Sequence, residues 1–235
     1  VDEQHLRLIR LGLDAAARHG FALGGGQAVQ IHRFVARISD DVDLFTPYTR
    51  RGETEEAAAR VTETYRAAGY AVAVEISSDT YVRMWVADPK TNPDADPDRG
   101  EATKVEMVAN PRQHPPVMMD VGPVLHPDDV AAGKMSALYT RAAERDFIDV
   151  TALTAGGRYT REGLLRLAEA DDAGFDRAMF AEQLGTIGRL RDKDFLYYGI
   201  SAAQLAAARA EVADWIAELT VPECSRATGA GLHPE

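Results

Sequence analysis

The stretch Ser39-Asp40-Asp41-Val42-Asp43-Leu44-Phe45 limits the folds open to this chain more than any other. Residues 42–45 alternate in polarity and Pro47 closes the run, the pattern of a strand with one buried face. Side chains alternate along a strand, so Asp41 and Asp43 project from the same face. Two carboxylates side by side repel, and in a dry setting both stay ionised only with a cation between them. Oxygen ligands of this kind suit Mg2+ or Mn2+, ions that keep waters and take up phosphates. A solvated acidic turn at the mouth of a strand would carry the same letters, so the pair alone decides nothing.

The surroundings add weight. Residues 21–23 form a short apolar run that reads as a buried strand and enters Gly24-Gly25-Gly26, with a helix expected over residues 27–34. Glycines let a backbone approach a phosphate, and a helix N-terminus offers unpaired N–H groups and a favourable dipole. The Lys-Ser/Thr of a Walker loop and the spaced glycines of a dinucleotide fingerprint are both missing, which disfavours those two classes. Farther on, residues 103–108 read as a strand with Lys104 and Glu106 on one face and Val105 and Met107 on the other. With the apolar face on helices, Glu106 would stand beside the aspartates as a base or a further ligand. An ordinary solvated strand face fits those letters equally well.

The rest of the chain divides in two. Helical spacing covers residues 4–17 and 53–68, and strands are expected over 70–76 and 81–87. Residues 88–100 hold three prolines and four aspartates, which reads as an exposed, mobile hairpin loop. The proline-rich stretch 111–127 marks a boundary, and helices are expected beyond it over 128–144, 147–153, 161–168, 175–184 and 202–219. Ser201 and Gln204 form a capping box for the last of these, and the tail from Pro222 is expected to fray. The fold class is therefore α+β: a mixed sheet with flanking helices over residues 1–125, then a helical region over 126–235 that completes the site.

That helical region carries Lys134, Arg141 and Arg145. Offsets of seven and eleven residues return to nearly the same helical angle, so an unbroken helix would line the three cations into a stripe. A stripe facing the acids would neutralise a triphosphate. Asp146 and Asp149 follow and would fix the arginines or a nucleotide, although Arg-Asp-x-x-Asp on a helix is more often surface ion pairing of little energetic consequence. His32 and His114 stand alone in the sequence and read as ordinary structural or exposed histidines.

Composition excludes several classes. Hydrophobic residues make up 46% and charged residues 27%, as in an ordinary globular protein. No run of 18 apolar residues exists, so no membrane span is expected. The first residues lack the basic and apolar stretches of a secretory signal, which points to the cytoplasm. The lone Cys224 reads as an ordinary thiol. A net charge of −11 repels nucleic acid on average, arguing against a protein that coats DNA or RNA while leaving room for a local basic groove. No DNA partner is expected.

Residues 21–26 (Phe-Ala-Leu-Gly-Gly-Gly), His32, Arg37, Ser39 and the run 41–45 resemble the first two motifs of AbiEii-type nucleotidyltransferases. Residues 134–138 (Lys-Met-Ser-Ala-Leu), Arg141 and residues 145–149 resemble its third and fourth. The resemblance covers about residues 21–153, and its specificity lies in four motifs in order. It implies a polymerase-β-like nucleotidyltransferase core. It implies transfer of a nucleoside monophosphate from an NTP with Mg2+ (or Mn2+) and release of pyrophosphate. It further implies an acceptor such as the tRNA 3′ end and neutralisation by a cognate antitoxin. By position, Asp41 and Asp43 would hold the metal, and Lys134 would contact the triphosphate. Asp146 would complete the catalytic set, to which the strand reading, and not the resemblance, adds Glu106 as a base. Gly24, Gly25, Gly26, Gln27, Arg37, Ser39, Arg141 and Arg145 would bind the nucleotide, and Gly26-Gln27 stand where the family's first motif commonly carries a serine. Modification of the Ser39 hydroxyl would add charge beside the acids. Two other readings stay open: an antibiotic-type adenylyltransferase acting on a small cationic molecule, and a catalytically silent binding protein that keeps the fold.

Overall fold

The computed structural model describes residues 1–90, 96–97 and 102–221, in two compact units, Val1–Lys134 and Met135–Glu235. Most of the expected loop over residues 88–100, the tail from Pro222 and Cys224 lie outside the described residues.

In the first unit the chain runs α1 (Glu3–Ala15), β1 (Ala22–Leu23), α2 (Gly25–Ile31), β2 (Val42–Pro47) and α3 (Thr54–Ala67). It continues through β3 (Ala71–Ser77), β4 (Tyr81–Ala87), β5 (Thr103–Asn110), β6 (Val117–Met119) and β7 (Gly122–Val124), where α4 (Pro127–Thr140) begins. Its described residues form a seven-stranded sheet in the order β3-β4-β5-β2-β1-β7-β6. The sheet is mixed, because β2 pairs parallel with β5 and β1 with β7, whereas the remaining pairs are antiparallel.

Period-two alternation splits this sheet into an apolar and a polar face. Val42 and Leu44 of β2, Val82, Met84 and Val86 of β4, and Val105 and Met107 of β5 are buried. They share one core with Leu8, Ile9 and Leu13 of α1 and Ala57, Val61 and Tyr65 of α3. The Tyr65 hydroxyl donates to the Leu8 carbonyl at 2.9 Å, so the polar tip of a buried ring is satisfied where the two helices meet. Each fully buried aliphatic side chain contributes roughly 1.5–3 kcal/mol. With one face supplying that stability, the other is left for Asp43, Lys104, Glu106, Tyr81 and Arg83.

The hairpin β6–β7 falls inside the proline-rich stretch that reads from sequence only as a boundary. Each of its strands has three residues and Pro123 sits in the second, so neither shows enough alternation to announce itself.

The second unit is helical: the remainder of α4, then α5 (Glu144–Ala155), α6 (Arg161–Asp171), α7 (Arg177–Gly185), α8 (Asp192–Tyr197) and α9 (Ala202–Thr220). Phe147, Leu164, Phe180, Phe195 and Trp215 are buried in its interior, with Phe180 and Trp215 packed edge to face at 5.3 Å. Ser201 and Gln204 cap α9 reciprocally. The six-residue α8 is too short to leave a periodic signature in the sequence. The expected stripe of Lys134, Arg141 and Arg145 on one helix does not form. Helix α4 ends at Thr140, Ala142 adopts φ 49°, and α5 begins afresh at Glu144.

Candidate active site

Strand β2 runs beside β5 in a register that sets Asp43 opposite Glu106 and Val42 opposite Val105. Strand β4 then sets Arg83 opposite Glu106 on the other side. Asp41, Asp43, Glu106 and Lys104 therefore share the polar face, as their spacing predicts. The Lys104 ammonium lies 3.2 Å from Asp41 and 3.3 Å from Glu106, bridging the two carboxylates.

Asp43 is the electrostatically costly member. Burial above all, then the negative charges of Glu106 and Asp41, push its carboxyl from 3.8 up to about 6 against the opposing pull of Lys134 and Lys104. Lys134, on α4, is itself buried, so the helical lysine and the acid pair occupy one electrostatic environment. Glu106 behaves differently. Burial pushes it up, yet a hydrogen bond from the Tyr81 hydroxyl and the Lys104 and Arg83 cations hold it below the usual carboxylate range. The Arg83 Nε donates to Glu106 at 3.0 Å and to the Tyr81 hydroxyl at 2.8 Å. Burial and the neighbouring Glu106 charge raise the Tyr81 hydroxyl to about 12, so it remains a donor. Sequence reasoning missed Tyr81 and Arg83. Their alternation on residues 81–87 was legible, but the pairing of β4 with β5 that brings them to Glu106 was not.

The glycine run is pressed onto these acids. The Gly24 N–H donates to the Asp43 carbonyl at 2.8 Å. Gly25 adopts φ +58°, and a methyl group there would come within 1.8 Å of the Asp43 carboxylate. A side chain on Gly24 would strike the Phe45 ring at 2.4 Å, and one on Gly26 the Ser39 hydroxyl at 2.3 Å and the Arg37 guanidinium at 2.8 Å. Gly24, Gly25, Gly26, Arg37, Ser39 and Asp43 are thus brought together. Gln27 is fully buried, and its amide donates to the Ser39 carbonyl at 2.7 Å, propping the loop that leads into β2. Its Oε1 is a buried acceptor with no partner among the described residues. His32 accepts a structural part: its Nε2 lies 2.9 Å from the Leu125 carbonyl and its ring stacks on Phe34.

In the second unit, Asp146 is fully buried and receives two parallel hydrogen bonds from Arg141, each 2.7 Å. The Ala143 N–H at the α5 N-cap donates to the same carboxylate at 3.1 Å. Asp146 therefore fixes the turn between α4 and α5. Arg145 is half-buried, and Asp149 is fully buried on the next turn. Asp146→Ala would strip the helix start and Arg141 of their acceptor. The expected loss is about 1–3 kcal/mol, discounted because Arg141 is half exposed. Urea unfolding of the variant checks it.

A sheet backed by apolar helices that presents acids flanked by lysines, with a glycine run against them, is the arrangement of an enzyme that handles phosphates. The family model described as nucleotidyl transferase AbiEii toxin, type IV TA system, matches residues 9–219, and the chain belongs to that family. It is a nucleotidyltransferase. Two solved Helicobacter pylori structures share its fold. One, a candidate nucleotidyltransferase, is 16% identical with a TM-score of 0.60 over 93% of this chain and 96% of its own. The other, JHP933, is 18% identical with a TM-score of 0.59 over 93% of each chain. No curated protein is significantly similar in sequence. Among the described residues no helix is long and apolar enough to cross a membrane.

Proposed function

We propose that the chain moves a nucleoside monophosphate from an NTP onto an acceptor hydroxyl, with the tRNA 3′ end as that acceptor, as the toxin of a cytoplasmic toxin–antitoxin pair. Residues 1–125 are read as the catalytic core, with Lys134 added from the helical region that follows. The observation that carries the reading is Asp43: a desolvated carboxyl beside Asp41 and Glu106, countered by Lys134 and Lys104.

The donor set fits a hard divalent cation. Asp41 and Asp43 offer oxygen ligands on one strand face, and a carboxyl pushed up to about 6 is one whose ionised form lacks sufficient positive charge around it. Asp41 and Asp43 would hold Mg2+ or Mn2+, which when bound neutralises charge on the phosphates during transfer. The chain's own part is positioning. The glycine run lets the Asp43 carboxylate, the Ser39 hydroxyl and the Arg37 guanidinium lie against its backbone because no Cβ intervenes. Lys134 and Arg37 supply fixed positive charge to the triphosphate, and Ser39 a hydroxyl. The acceptor oxygen bonds to the α-phosphorus as the bond to pyrophosphate breaks and pyrophosphate leaves with its electron pair. Glu106, clamped and ionised, orients Lys104 and is poorly matched to take a proton near neutral pH, so the hydroxyl proton passes to solvent.

Incubation with NTPs labelled at the α-phosphate, Mg2+ and total tRNA should place label on tRNA, and Asp41→Ala should abolish it. Absence of label on any RNA, together with undiminished toxicity of Asp41→Ala in cells, would overturn the reading. Label on an aminoglycoside but not on RNA would select the small-molecule alternative, which the net charge of −11 suits.

A further inference from the structure

The acid face is not the only place in the first unit where metal-ligating side chains meet. Among the described residues, His114, His126 and Asp128 bring one ligand atom each to within 4.8 Å of one another. His114 lies in the connection between β5 and β6, while His126 and Asp128 lie at the start of α4. Nothing in the sequence joins His114 to the other two, and it reads there as an isolated histidine. The sheet joins them. β6 and β7 form a hairpin, so the chain returns to the neighbourhood it left after β5.

The two imidazoles stack at 4.4 Å with an interplanar angle of 24°. His126 Nδ1 and an Asp128 oxygen are 3.6 Å apart. Two ligands of a tetrahedral ion with bonds of about 2.0–2.1 Å stand about 3.4 Å apart, close to this separation, and the ion would take the Nδ1 lone pair that now accepts from the Asp128 N–H at 3.2 Å. His114 is held for the same task. Its Nδ1 lies 3.0 Å from Asp129, and the N–H groups of Gln113 and His114 donate to that carboxylate at 3.2 and 3.1 Å. Asp129 is nearly buried, at 8% side-chain exposure. A carboxylate on Nδ1 sets the tautomer that leaves the Nε2 lone pair for a metal and raises the basicity of the ring, the usual outer-shell partner of a ligating histidine. Both rings are partly exposed, which gives an ion a way in.

We propose that His114, His126 and Asp128 bind a first-row transition metal of the zinc class, with Asp129 as the positioning residue behind His114. Imidazole nitrogens select this class, whereas the all-oxygen pair Asp41 and Asp43 selects Mg2+ or Mn2+. The ion ties the β5–β6 connection to the first turn of α4, six residues ahead of Lys134, and so stiffens the helix that presents that lysine. The site is independent of the transfer reaction and would exist in a chain that transfers nothing.

The test uses the untagged protein, stripped of metal with a chelator and titrated with Co2+ while visible d–d absorption is read. One saturating equivalent with ligand-field bands is expected, and Zn2+ should displace Co2+ and raise the melting temperature. His114→Ala and His126→Ala should each weaken binding at least tenfold, and Asp129→Asn should weaken it roughly 10–100-fold. His114→Gln serves as a milder variant, and an unchanged circular dichroism spectrum confirms that each variant folds. Asp41→Asn should leave the Co2+ bands as they are. Failure of the wild type to bind Co2+ saturably overturns the proposal. Bands that survive His114→Ala, or that vanish in Asp41→Asn, overturn it equally by placing the ion elsewhere.

Discussion

Asp43→Asn will lower nucleotidyl transfer by on the order of 10²–10³-fold or more and will at the same time stabilise the metal-free protein at neutral pH. Both effects follow from one carboxyl. Its value is raised from 3.8 to about 6, first by burial and then by Glu106. A group that binds its proton more tightly folded than unfolded adds stability in full below its unfolded value and loses it as pH rises through the folded one. At neutral pH Asp43 is ionised, and the metal-free fold carries that burden, roughly 2–3 kcal/mol. Asparagine keeps the shape without the charge. The variant should therefore melt higher than the wild type at neutral pH, with the gap closing as pH falls below about 5. Thermal melts at the two pH values, run beside the transfer assay, check both halves. A variant less stable than wild type at neutral pH, or one still active, would contradict the assignment.

Gly25→Ala is expected to do comparable damage by a different route. The backbone at Gly25 is left-handed, which costs an L-residue about 1–2 kcal/mol. The added methyl would also lie 1.8 Å from the Asp43 carboxylate oxygen and 2.6 Å from its carbon. Nothing relieves that contact except moving the glycine run or Asp43. Total destabilisation of about 2–4 kcal/mol is expected, with transfer reduced at least a hundredfold because geometric displacement near reacting groups is costly. Gly157→Ala provides the control. It too has a positive φ, +68°, but meets nothing within 4 Å. It should lose only the backbone part, about 1–2 kcal/mol, and keep full activity. Equal losses at the two positions, read by urea unfolding and the transfer assay, would show that the contact with Asp43 is immaterial.

Much of this site is written locally. The alternation through Asp41, Val42 and Asp43, the triglycine and the Lys104/Glu106 face each depend on neighbours within a few residues, and the fold honours them. What stayed hidden depends on pairing between distant segments. Tyr81 and Arg83 clamp Glu106 only because β4 adds to β5 in one particular register. The break between α4 and α5, expected at residues 145–146, falls at 141–143, because residues 140–143 (Thr-Arg-Ala-Ala) hold neither glycine nor proline to mark it. At that turn Ala142 adopts φ 49° and Arg141 donates to the buried Asp146. His114 met its partners through a hairpin whose three-residue strands carry almost no sequence signal.

The proposed transfer requires that Asp41 and Asp43 together hold a divalent cation for the triphosphate. Titration of the protein with Mn2+ in the presence of a non-hydrolysable NTP, read by electron paramagnetic resonance, addresses it most directly. Tight nucleotide-dependent Mn2+ binding in the wild type, weakened at least tenfold in both Asp41→Asn and Asp43→Asn, is the predicted result. Binding of equal strength in all three proteins would contradict it.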